Sequence, residues 1–122
     1  MISLQRFRCF RNVNAISVLN RLAEMHSGLM PHQIASATGC SLDEAMSLLL
    51  HLSTLDIAKA KTLVYHINDN TDPPVSILTR NLNEGPPELP LVCPICGQDI
   101  ENYEELLFDF IFILNTKPHF KE

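Results

Sequence analysis

The residues with the clearest chemical potential are Val92-Cys93-Pro94-Ile95-Cys96-Gly97. Two thiolates two residues apart can converge on one ion, and a glycine behind the second permits the tight turn this requires. A structural zinc usually takes four protein ligands. The sequence offers no second Cys-x-x-Cys. Completion would therefore fall to Cys9, Cys40, His26, His32, His51, His66 or His119, and His119, just after the last apolar segment, is the first choice. Two other arrangements stay open: a four-cysteine site shared by two copies of the chain, and a knuckle that persists as a turn without metal. A redox role is less well supported, because no strand-helix context of a thioredoxin type surrounds the pair. Zinc is thus the one candidate cofactor. Taken singly, the five histidines read as surface or capped side chains, and Cys9 and Cys40 as small buried hydrophobes.

Other chemistry is hard to find. There is no P-loop, dinucleotide fingerprint, His-Glu-x-x-His or nucleophile elbow. Glu104 and Glu105 are chain neighbours rather than a positioned acid/base pair. The residue pattern gives no catalytic residues and a protein that is not an enzyme.

The 122 residues fit one domain with a small appendage, and a 46 % hydrophobic content can fill a core that, lacking Trp, must be mainly aliphatic. A formal net charge of -5 argues against phosphate binding by the chain as a whole. Neither a secretory h-region nor a membrane span is visible, since the longest apolar run, 106–114, is interrupted by Asp109. The cysteine spacing does not suggest a secreted framework, so the expectation is a cytoplasmic protein with reduced thiols.

Residues 1–11 read as a short strand or an arm. Asn14 can cap a helix over 15–26, with Gly28 as its stop. Pro31 opens a second helix over 32–38 that ends at Gly39. Ser41 and Glu44 form a capping box for a third, with Leu42, Ala45, Leu49 and Leu52 inward and Leu48 widening that face. The period then changes. Residues 57–67 read as strand or hairpin, 68–74 as a turn, 75–82 as another strand and 83–90 as a linker. Residues 106–114 fit either strand or helix.

Three helices, a glycine turn between the second and third, and a strand pair afterwards resemble the winged helix-turn-helix family. The resemblance is carried by Gln33-Ile34-Ala35, Thr38-Gly39, Ser41-x-x-Glu44-Ala45, the leucines that follow and the strand containing Tyr65. The Cys93–Gly97 knuckle resembles half of a zinc ribbon. The fold class implied is α+β: a winged helix over 1–82, a linker at 83–90, and a knuckle lobe over 91–122.

The winged-helix resemblance implies DNA binding through the third helix, but 22–58 contains no Lys or Arg. The outward face of that helix would be Asp43, Met46, Ser47, Leu50 and Thr54, with Met46 and Leu50 better suited to a protein partner. Against this stand Arg6, Arg8, Arg11, Arg21, Lys59 and Lys61, which could touch phosphate backbone.

The stretch 84–115 carries seven acids and no basic residue. As a strand, 106–114 would place Phe108, Phe110 and Phe112 on one face and Leu107, Ile111 and Ile113 on the other, so both faces need cover. The expectation is a non-enzymatic adaptor that forms a homodimer or joins a larger complex. The alternative is a DNA-binding transcriptional regulator.

Overall fold

The alternation of helix and strand periods settles into a mixed α+β chain in a computed structural model that describes residues 2–68 and 71–122. Among the described residues the elements run β1 (Ile2–Ser3), α1 (Val13–Met25), β2 (Gly28–Leu29), α2 (Pro31–Thr38), α3 (Leu42–Thr54), β3 (Ala58–His66), β4 (Leu78–Asn81), β5 (Leu91–Val92), β6 (Asp99–Ile100), β7 (Leu106–Leu114) and β8 (Phe120–Lys121). No helix among them is long and apolar enough to cross a membrane. The chain divides into two units, Met1–Ala60 with Ile111–Glu122, and Lys61–Phe110. These divisions fall elsewhere than the boundaries expected from composition at 82 and 90. The reason is that β3 and β7 each pass from one unit into the other.

In the first unit, Asn12 rather than Asn14 caps α1, its side chain accepting from the Asn14 N–H at 2.8 Å. Gly28 is not a helix stop. It lies in β2, paired with Ile113 of β7, where a Cβ would come within 2.8 Å of the Ile111 side chain. Pro31 opens α2, Gln33 Oε1 accepts from the Met30 N–H, and Gly39 closes the helix. Ser41 Oγ accepts from the Glu44 N–H at 3.1 Å as the capping box requires. The reciprocal half is redirected: Glu44 Oε2 takes the Cys9 N–H at 2.8 Å. Cys9 and Cys40 form a disulfide, which corrects the expectation of reduced thiols for those two. Asn20 exchanges two hydrogen bonds with the Phe120 backbone, while β1 pairs in parallel with β8. The core gathers Phe10, Ile16, Leu19, Leu29, Ile34, Leu48, Leu49, Leu52, Phe112 and Phe120. Leu42, expected inward, is exposed.

In the second unit β3 pairs antiparallel with β4, Lys61 opposite Asn81 and Val64 opposite Leu78. Residues 57–67 therefore supply one arm of a hairpin rather than a whole one. The Ile67 N–H donates to Glu105 O at 3.0 Å, where β7 begins beside β3. Residues 106–114 are strand, which resolves the earlier ambiguity. The expected turn at 68–74 lies partly, at 69 and 70, outside the described residues. The buried cluster of this unit is small: Val64, Cys93, Ile100 and Leu106, with Ile77, Leu78, Leu89 and Leu91 packed against it.

Candidate metal centre

The Cys-x-x-Cys segment forms the tip of the β5–β6 hairpin, with Leu91 opposite Ile100 and Val92 opposite Asp99. Two backbone bonds close the turn, Gly97 N–H to Cys93 O at 2.8 Å and Cys93 N–H to Gln98 O at 2.9 Å. Gly97 takes φ 78, the left-handed conformation for which glycine was expected there. The knuckle is therefore closed by its own backbone, and both thiols are held on one short loop.

The third group comes from β3. Alternation along a strand puts Val64 and His66 on the same side, and both are buried. Cys96 Sγ lies 3.5 Å from His66 Nδ1. The donor atoms of His66, Cys93 and Cys96 all lie within 4.8 Å of one another. Zinc bonded to sulfur at about 2.3 Å and to nitrogen at about 2.0–2.1 Å, in tetrahedral geometry, separates those two ligands by about 3.6 Å. The Cys96–His66 spacing matches that figure, and the three residues together could hold a metal ion. Cys93 and His66 are buried, while Cys96 is exposed.

The surroundings are negative. Glu105 Oε2 accepts from the Glu101 N–H at 2.9 Å and the Asn102 N–H at 3.1 Å. The Asn102 and Glu101 amides hold its carboxyl below the ordinary glutamate value, with the charge of His66 adding to the effect. Tyr65 is raised, first by burial and then by Asp109.

His66 is one of the seven candidate completions, and it is the one that lies with Cys93 and Cys96 among the described residues. His119, the first choice from sequence, is not in the cluster; its carbonyl instead receives the Ile2 N–H. His51 meets Arg6 at 3.4 Å and the Phe7 ring at a centroid distance of 5.6 Å. The signal that could have found His66 was its parity with Val64 in a strand that buries one face.

The remaining expected site residues divide. Leu50 is exposed on α3, whereas Met46 is half-buried against the first unit's core, which corrects its placement on the outward face. Phe108 and Phe110 are exposed at 43 % and 38 %. Phe112 is 1 % exposed within the first unit's core, so its assignment to a partner-binding surface is corrected. Among the basic residues, Arg8, Arg21 and Lys59 are exposed and Lys61 is half-buried. Arg11 donates to Gln5 O at 2.8 Å, and Arg6 lies over the Phe7 ring. Two acids, Asp43 and Glu44, occupy the first turn of α3. Comparison of the chain with protein-family models, with curated proteins and with solved structures finds no match.

Proposed function

We propose that this chain is a non-enzymatic adaptor that assembles with itself or with a larger protein, and that its second unit is held together by zinc on Cys93 and Cys96. The observation that carries the assembly reading is the exposure of Phe108 and Phe110, alternate apolar residues on one face of β7. Phe108 and Phe110 border an apolar groove of about 270 Å³ with Val64, Leu82 and Pro86. Large apolar side chains clustered in the open are a docking surface or an aggregation hazard.

The zinc reading draws support from scale. A unit confined to residues 61–110 with so small a buried cluster falls in the size range where natural domains add a metal or disulfide. Thiolate and imidazole donors suit zinc among the common divalent ions.

The first unit is read as a winged helix. What supports this is the order α1, β2, α2, α3, then β3, with β2 pairing to β7. A DNA-reading role would use the exposed face of α3, where the first turn is acidic and no Lys or Arg occurs. A gel-shift titration at physiological salt should therefore show no discrimination between duplex sequences. Strong discrimination would overturn the adaptor reading in favour of a transcriptional regulator.

The proposed setting is the cytoplasm, where Cys93 and Cys96 would stay reduced. Cell fractionation should recover the chain with the cytoplasmic proteins, and recovery from an oxidising compartment would overturn this setting.

A further inference from the structure

We propose that the apolar groove beside Phe108 and Phe110 is an interface for a second copy of this chain, and that it receives the arginine-bearing surface around Arg8 and Arg11 of that copy rather than its matching groove. This rests on the assembly reading above and narrows it to one occupant. Strand parity puts Thr62, Val64 and His66 on one face of β3, and Leu106, Phe108 and Phe110 on one face of the neighbouring β7. At one end the β5–β6 hairpin packs, with Cys93 and Ile100 buried against Val64 and Leu106. At the other lies the groove, where Phe108 and Phe110 face Leu82 and Pro86. The wall that carries Leu82 and Pro86 is fastened within its own unit. Arg80 Nε donates to Gly85 O at 2.9 Å, the Asn81 N–H to Glu84 Oε1 at 2.8 Å, and the Tyr103 hydroxyl to Pro87 O at 2.8 Å. A groove shaped in advance binds with less ordering cost.

Charge selects the occupant. Residues 61–110 contain nine acids against two basic residues, Lys61 and Arg80, and Arg80 is paired with Glu84 at 3.8 Å. Glu84 and Glu88 are exposed on the segment that carries Gly85 and Pro86. Two such units meeting groove to groove would set like charges together. Residues 1–23 have the opposite character, with Arg6, Arg8, Arg11 and Arg21 and no acid. Arg8 and Arg11 are exposed, and Val13, 56 % exposed, offers an apolar contact to the rings. That surface is held in the first unit by the buried Phe10, by the Cys9–Cys40 disulfide and by Glu44 Oε2, which accepts from the Cys9 N–H. Contacts made reciprocally by two copies close a two-fold dimer, and contacts made in one direction run on into a ring or filament.

The test is light scattering on the full chain, on Phe108→Asp and on Arg8→Glu/Arg11→Glu, each alone and the two variants mixed in equal amounts. Thermal unfolding checks that both variants fold. Wild type should associate, and each variant alone should run as monomer. The mixture should regain an associated species, because one variant keeps the arginines and the other keeps the groove. Wild type alone supplies a second reading. Raising salt from about 0.1 M to about 1 M shortens the screening length from about 10 Å to about 3 Å, and the associated fraction should fall. A monomeric wild type would defeat the assembly reading itself. If wild type associates but Arg8→Glu/Arg11→Glu associates equally well, only the present inference fails. It fails also if the mixed variants stay monomeric, or if salt strengthens the wild-type association as pairing of two acidic grooves requires.

Discussion

Cys96 Sγ and His66 Nδ1 stand 3.5 Å apart although 30 residues separate them in the chain. That contact ties the knuckle to strand β3 within the second unit, and through a bound ion it would become a cross-link. His66→Ala should weaken zinc affinity by more than about 100-fold, exceeding the usual loss for an outer-shell partner. His119→Ala should leave affinity unchanged. Competition against a chromophoric chelator checks both, and parental affinity in His66→Ala would remove the histidine from the ligand set.

The Cys9–Cys40 disulfide closes a loop with a sequence separation of 31 and fastens the segment before α1 to the turn before α3. The chain-entropy relation gives such a loop about 3–4 kcal/mol. Urea unfolding of Cys9→Ser/Cys40→Ser against the oxidised parent should show a loss of that order. The metal content should not change, since neither residue belongs to the donor cluster.

Glu105 makes an acid-sensitive contribution. Its carboxyl is held below the ordinary glutamate value by the Asn102 and Glu101 amides, then by His66. A carboxyl depressed in the folded state adds stability that is complete above the unfolded value, about 4.3, and is lost as pH falls through the folded one. Glu105→Gln should therefore lower stability at neutral pH and converge with wild type in acid. Unfolding curves from about pH 7 to pH 3 would show it. A deficit constant over that range would assign the effect to geometry rather than charge.

Phe108 and Phe112 lie on the same strand four residues apart but differ in burial, 43 % against 1 % exposed. Phe112→Asp should cost more than about 3–5 kcal/mol or unfold the protein, as loss of a core aromatic with burial of a charge demands. Phe108→Asp should change stability by less than about 1 kcal/mol, as exposed substitutions do, while shifting the protein towards monomer. Thermal unfolding paired with size-exclusion chromatography separates the two.

This pair also shows how far the sequence could be read. The alternation placing Phe108, Phe110 and Phe112 on one face was visible. The change of environment along that face was not, because β7 leaves one unit and enters the other. Helices α2 and α3 were legible from Pro31, Gly39 and Ser41, which act locally. Gly28 was misread because its lack of a Cβ answers to Ile111, far along the chain. The thiol half of the donor cluster was legible from spacing. His66 was obscured because convergence depends on tertiary pairing, and the disulfide partnership of Cys9 and Cys40 was hidden for the same reason.

The central claim is that the exposed apolar residues of β7 serve assembly. The most direct measurement is the molar mass of the wild-type, zinc-loaded chain by light scattering at micromolar concentration. Phe108 and Phe110 are 43 % and 38 % exposed on one face of β7. Full burial of such a side chain is worth about 1.5–3 kcal/mol, and the exposed part of each ring adds its share on association. The predicted result is a mass of at least twice 13.7 kDa. A monodisperse, stable monomer would contradict the account.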